Sequence, residues 1–200
     1  MAYAYARPMA TAGLLLAAGA GRRYGMPKAL LTHRGGLLVE HAAGILTSAG
    51  CDPVVVVLGA AADEVRARAR LPRVVRNDAW PTGMGSSLRA GLAALLTTPA
   101  VAAVVTLVDM PGLTPAAVRR VARDATAGSL AVAAHRDGTQ GHPVLLGRDH
   151  WAGAARAAVG DRGARDYLRA HRDRLRVVPC ADVADGADVD RPGQAGLLDA

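Results

Sequence analysis

The chain has 200 residues, 51% apolar and 20% charged, which fits one compact globular domain (1–200) with a real core. No apolar run reaches the roughly 18–20 residues that span a bilayer, so a membrane span is excluded. A net charge of +7 points to anionic partners, but at 3% the aromatic residues are too few for base stacking, which argues against nucleic acid.

Residues 1–11 read as a loose tail. Arg7 followed by Gly13–Ala18 mimics a signal peptide, but the apolar run is short and flows into a glycine/arginine loop. Leu14–Ala18 is therefore a first strand. Leu38–Ser48 is a helix closed by Gly50, Pro53–Gly59 a strand buried on both faces, Ala61–Arg70 a helix and Arg73–Arg76 a short strand. Thr82–Ser87 is a loop that opens a helix over Ser87–Leu96. Ala102–Val108 is another buried strand, and Thr114 with Pro115 caps a helix reaching about Ala125. Leu130–Ala134 and Val144–Leu146 are strands joined through Asp137-Gly138. Helices near Asp149–Ala158 and Ala164–His171 follow, then a strand at Leu175–Pro179. Strands alternating with helices predict an α/β fold around a mostly parallel sheet.

Cys51 and Cys180 form no CxxC pair and the six histidines show no HxH or HExxH spacing, so disulfides and a histidine zinc site are not expected and a cytoplasmic setting is. Arginines at helical spacing, such as Arg66, Arg68 and Arg70, or Arg119, Arg120 and Arg123, read as solvated helix faces.

Chemistry concentrates in five segments. In Leu16-Ala17-Ala18-Gly19-Ala20-Gly21-Arg22-Arg23-Tyr24-Gly25-Met26-Pro27-Lys28, glycines after a strand let backbone amides approach phosphates, and Arg22 and Lys28 add charge. Of 24 basic residues only Lys28 is lysine, a compact ammonium suited to a phosphate oxygen. The GxGxxxG spacing is neither a P-loop nor the dinucleotide fingerprint. Asp109 ends the strand at Val108, where open α/β sheets bind ligands and a carboxylate can hold Mg²⁺. In Asp188-Val189-Asp190 one carboxylate is expected to reach the metal while the other supports the loop, with Asp190 the preferred ligand. Gly83-Met84-Gly85-Ser86-Ser87 offers amides and hydroxyls at a helix N-terminus, an anion site or a simple cap. Gln140-Gly141-His142-Pro143 is a polar tip or a turn.

These segments, in order, resemble the molybdenum cofactor cytidylyltransferase-like branch of the nucleotidyltransferases from about Gly13 to Pro192. LAAGAGRRYGMPKALL looks like the signature loop of that family, and GMGSSLRAGL, LVDMP, GHPVLL, GDRGAR and DVDRP follow in its order. The resemblance implies a three-layer Rossmann-like fold and transfer of CMP from CTP to molybdopterin, with Mg²⁺ as cofactor and a molybdoenzyme or its chaperone as partner. It places Leu16, Ala17, Ala18, Gly19, Gly21, Arg22, Lys28, Gly83 and Ser87 around the nucleotide. Arg22, Lys28 and Asp109 become the catalytic residues, Asp109 and Asp190 the metal ligands, and Ser86, Ser87 and His142 the acceptor side. Guanylyltransferases carry a second glycine where this chain has Ala18, which favours cytidine. Gln194 stands where the family commonly has an acid and is read as supporting the last helix; Arg22-Arg23 leaves open which arginine faces the phosphates. The alternatives are another phosphorylated acceptor (a sugar phosphate or methylerythritol phosphate), a glycosyltransferase using Asp188-Val189-Asp190 as a DxD motif, and a non-enzymatic nucleotide- or cofactor-binding partner.

Overall fold

The computed structural model describes residues 10–198. In chain order the elements are β1 (Thr11–Ala17), β2 (Thr32–His33), β3 (Gly36–Leu37), α1 (Leu38–Ser48), β4 (Val54–Leu58), α2 (Ala62–Arg68), β5 (Arg73–Arg76) and α3 (Met84–Leu95). Then come β6 (Ala102–Leu107), α4 (Pro115–Val121), β7 (Leu130–Ala134), β8 (Gln140–Gly147), α5 (Arg148–Ala157), α6 (Arg165–Ala170) and β9 (Arg176–Pro179), with a 3-10 stretch at Pro192–Leu198.

The main sheet has the order β5-β4-β1-β6-β8-β7-β9. Pairings are parallel except those of β8, which runs against both β6 and β7. Central strands such as Val54–Leu58 are buried on both faces, which is why they read as unbroken apolar runs. One face carries Leu15, Val56 and Val104 against α1 and α4; the other carries Leu14, Val57 and Val105 against α3 and α5. Helices on both faces make the three-layer α/β architecture expected from the pattern.

The chain steps outward from β1 to β4 and β5, and α3 then carries it back to lay β6 on the other side of β1. This reversal beside β1 is the switch point at which such sheets open a crevice. Register ties it down: Leu16 pairs with Leu107, and the Val108 N–H donates to the Leu16 carbonyl at 3.2 Å. The loop after β1 and the residue after β6 must therefore leave the sheet side by side.

Several boundaries differ from the sequence reading. Thr11 belongs to β1, and the Ala10 carbonyl accepts from Val101 N–H, so the tail is shorter than 1–11; residues 1–9 lie outside the described residues. Helix α3 begins at Met84, not Ser87, because Gly83 (φ 107°) breaks the backbone just before it. β8 begins at Gln140 rather than Val144, since Gln140 and Gly141 pair with β7 across a register shift at Val132/Ala133. α4 stops at Val121, and the β2–β3 hairpin was not anticipated. No described helix is long and apolar enough to cross a membrane.

Leu15, fully buried at the centre of the sheet, sets an expected stability effect. Leu15→Ala should cost about 2–5 kcal/mol. In urea unfolding this appears as a lower midpoint with an unchanged slope; an unaltered midpoint would contradict the packing described.

Candidate active site

The loop after β1 is shaped to bring Lys28 back over the sheet. Gly21 sits at φ +61°, and a Cβ there would overlap the Met26 carbonyl oxygen, so only glycine allows this close return. Pro27 leads into a 3-10 turn, Lys28–Leu30, whose Ala29 and Leu30 are buried and anchor the base of the lysine. A Cβ on Gly19 would meet no protein atom, which leaves open space above the strand end.

Lys28 Nζ donates to Asp109 Oδ2 at 2.7 Å and to Asp190 Oδ1 at 2.5 Å. The second oxygen of Asp109 is buried and without a partner. Asp109, Asp188 and Asp190 each offer one carboxylate oxygen, all within 4.8 Å of one another, a group able to hold a metal ion. The expectation that only one of Asp188 and Asp190 faces the site is corrected here. Alternate residues of an extended segment share a face, and Val189 between them is fully buried on the other side.

Backbone bonds place this acidic segment. Val189 N–H donates to the Asp109 carbonyl at 2.9 Å, Asp185 N–H to Gly112, and Thr114 Oγ1 to Val183. Gly186 lies so close to the His135 ring that a Cβ would come within 2.4 Å of it. Gln194 also has a different job from the one expected. Its Oε1 accepts from the N–H groups of Asp190 and Arg191, both at 2.9 Å, and its Nε2 donates to the Asp188 carbonyl. It fastens the acidic segment itself. A glutamate could accept the same two bonds but could not donate the third.

A cleft of about 560 Å³ opens over these groups. It is lined by the expected Leu16, Ala18, Gly19, Gly21, Gly83 and Ser87, together with Arg22, Lys28, Asp109 and Asp190. Ala17 does not line it, because its side chain packs into the core on the opposite face. Arg22 and Arg23 both line it and both are exposed, and Arg23 pairs with Asp190 at 2.8 Å. Sequence reasoning missed Trp80 as a lining residue, gave Asp188 only a supporting role, and quoted Asp161 and Arg165 only inside a motif.

Ser86 is placed differently from the expectation, while Ser87 lines the cleft. Asn77, also missed, donates to Ser86 Oγ at 2.8 Å and Ser87 Oγ at 3.0 Å, and both serines are buried. The Ser86 hydroxyl lies within bonding distance of the Ala79 and Gly83 carbonyls, so it serves the turn and not a ligand. At the N-terminus of α3 the Met84 N–H already has an anion, the Asp161 carboxylate at 3.2 Å. His142 instead lines a second cleft of about 420 Å³, which shares Leu16, Met84, Leu107 and Arg165 with the first. A cavity of about 770 Å³ lies at the other end of the sheet, but its Arg119 and Arg120 are tied to the Ser48 carbonyl and to Asp182. Cys51 and Cys180 are free, buried thiols.

Comparison with known proteins agrees with this geometry: residues 13–175 match the MobA-like NTP transferase domain. The chain belongs to that family. A nicotine blue oxidoreductase of Paenarthrobacter nicotinovorans is 43% identical over 187 residues, 89% of this chain and 91% of that protein. A protein of Opitutus terrae named "Probable molybdenum cofactor guanylyltransferase" is 31% identical over 176 residues, 86% of each chain. Rv0371c of Mycobacterium tuberculosis H37Rv superposes with a TM-score of 0.81 at 31% identity, covering 95% of this chain and 97% of that one; its manganese complex gives 0.76.

In this MobA-like chain the ion cluster has a definite pH signature. Burial opposes the charge on Lys28, yet the hydrogen bonds and charges of Asp109 and Asp190 outweigh it and raise its pKa above the ordinary value. The hydrogen bond from Lys28 lowers the pKa of Asp190. A raised lysine stabilises the fold below its unfolded value near 10.4, and the gain is lost as pH rises through the folded value. A lowered aspartate stabilises above about 3.9, and the gain is lost as pH falls through the folded value. The stability difference between wild type and Lys28→Met should therefore be flat over about pH 5–9 and shrink at both extremes. Urea midpoints across pH test this; a difference that persists in strong acid would rule the cluster out as its source.

Proposed function

We propose that the protein is a Mg²⁺-dependent nucleotidyltransferase that moves CMP from CTP to the phosphate of molybdopterin and releases pyrophosphate. The observation that carries this is the Lys28 ammonium set between Asp109 and Asp190 at the open end of the sheet, beneath a glycine loop. The donor set suits a hard divalent cation: three carboxylates converge, and one buried Asp109 oxygen lacks a partner. Asp109, Asp188 and Asp190 would hold it, and the manganese complex of Rv0371c supports a divalent-metal site in this fold. Bound there, the cation neutralises charge developing on the phosphoryl oxygens.

The chain's own residues do the rest. Backbone amides around Gly19 and Gly21 cradle the β- and γ-phosphates. Arg22, exposed on the rim, and Lys28, released from its carboxylates, neutralise them. Trp80 offers a half-buried ring beside the nucleobase space. An oxygen of the acceptor phosphate attacks the α-phosphorus while the bond to the β-phosphate breaks and pyrophosphate takes the electron pair. The nucleophile is already anionic, so positioning and charge compensation supply the catalysis. The product would pass to a molybdoenzyme or its chaperone.

Ala18, which lines the cleft where related guanylyltransferases carry a second glycine, favours the pyrimidine. The guanylyltransferase name of the Opitutus relative makes GTP the competing donor. A second reading rests on the 43% identical relative: an oxidoreductase acting on nicotine blue or a similar substrate.

Thermal unfolding with Mg²⁺ and each nucleoside triphosphate, followed by pyrophosphate release with molybdopterin, tests the proposal. CTP at about 100 times its dissociation constant should add roughly 2.7 kcal/mol and raise the midpoint by roughly 5–10 °C. Lys28→Ala should lower turnover about 10²–10³-fold. A larger shift with GTP replaces the donor. No pyrophosphate release with molybdopterin or with other phosphorylated acceptors, beside oxidation or reduction of nicotine blue by the protein with an added redox partner, establishes the second reading instead.

A further inference from the structure

Two histidines that line neither cleft meet inside the protein. His33, on β2, is buried, and its ring lies edge-on to that of His41 on α1, with centroids 4.2 Å apart and planes at 71°. His33 Nδ1 lies 2.5 Å from the Leu198 carbonyl, which can only accept, so Nδ1 carries the proton. Its Nε2 is then a bare acceptor, buried and without a partner. His41 is hydrogen-bonded to the Pro111 backbone, which has no N–H and so also accepts. Each ring therefore spends an N–H on a carbonyl from a distant segment.

Those segments are the ones that build the ion cluster. Pro111 comes two residues after Asp109, and Leu198 ends the 3-10 stretch that follows Asp188 and Asp190. His33 itself comes five residues after Lys28, just past the turn that anchors the lysine. Met110 and Leu198 are buried in one apolar cluster with Leu37 and Leu38 at the start of α1. The histidine pair thus joins, within the core, the three stretches of chain that carry Lys28, Asp109 and the acidic segment.

The surroundings oppose any positive charge on the pair. Burial holds the pKa of His41 below its ordinary value, and the charges of His33 and Arg34 act in the same direction; the Pro111 bond opposes them and is outweighed. Glu40, beside His41 on α1, has its carboxylate taken by the Leu37 and Arg70 N–H groups. Asp109 and Asp190 are held by Lys28. A histidine with a lowered pKa stabilises the fold fully above its unfolded value near 6.5, and the gain is lost as pH falls through the folded value.

We infer that His33 and His41 are positioning residues, a neutral pair that clasps the C-terminal stretch and the exit of β6 to the base of Lys28, and that acid opens this clasp. Charging both rings sets two cations edge to edge in the core, and the Leu198 carbonyl is the contact that gives way. The inference goes beyond the proposed function, since the clasp needs no ligand.

Hydrogen–deuterium exchange of the full-length protein at about pH 7.5 and about pH 5, without ligand and corrected for the intrinsic rate, tests it. In the wild type, opening of residues 189–198 should rise about 10-fold in acid relative to α3. The carboxylates titrate near 3.9, below this range. His33→Asn keeps a donor for Leu198 and His41→Phe keeps the ring, yet neither new side chain takes a proton. In the double variant the rise should vanish, with α3 protection reporting that the fold is kept. Unchanged relative protection of residues 189–198 in the wild type, or the same rise in the double variant, overturns the inference. The first result needs no variant, so the test holds even if the double variant fails to fold. Acid opening in a wild type that binds no Mn²⁺ at either pH sinks the metal site of the proposed function and leaves the clasp standing.

Discussion

One ammonium group ties the open end of this sheet together. Lys28 reaches 81 residues forward to Asp109 and 162 to Asp190, and the carboxyl ends of β1 and β6 and the acidic segment near the C-terminus meet on it. Lys28 is 12% exposed and its partners 16% and 21%, so the charges give up much of their hydration. Apolar side chains of similar volume would often stabilise such a spot as well or better. A chain with a single lysine that places it between two carboxylates is keeping a charge arrangement for use. In the proposed function the ammonium keeps the carboxylates together; Asp109, Asp188 and Asp190 would hold a divalent cation, and Lys28 would then serve the phosphates.

Around that centre the fold divides the labour by topology. The reversal beside β1 sets the glycine loop next to Asp109, and the register Leu16↔Leu107 makes the juxtaposition unavoidable. The N-terminus of α3 and the loop carrying Asp161 close one wall, while β7, β8 and α6 build the adjoining cleft. Both clefts share Leu16 and Arg165, so in the proposed function a donor in one and an acceptor in the other would meet without any large movement.

Local signals in the sequence carried much of this. Unbroken valine and leucine runs mark the buried strands, the glycine loop marks the end of β1, and Asp109 follows an apolar run directly. What escaped depends on contacts between distant segments. The Ser86 hydroxyl looks available until the Ala79 and Gly83 carbonyls are seen within its reach, with Asn77, nine residues earlier, donating to it. Asp161 fills the helix end that the serines seemed to offer a ligand. Gln194 reads as helix support, because nothing local reveals that its amide holds the backbone of residues 188–191. The shared face of Asp188 and Asp190 was misread, although alternate residues of an extended segment lie on one side and the apolar Val189 between them marks the other. Local signals did not separate Arg22 from Arg23, and the structure brings both to the cleft, Arg23 through its pair with Asp190.

The most direct test of this account is a Mn²⁺ titration by electron paramagnetic resonance without nucleotide, on wild type and Lys28→Ala. If the ammonium occupies the place of the cation, its removal should tighten Mn²⁺ binding by about 10-fold, as expected when a like charge a few ångströms away is lost. Unchanged or weaker Mn²⁺ binding in the variant would mean that Lys28 does not compete for these carboxylates, and the central claim would fall.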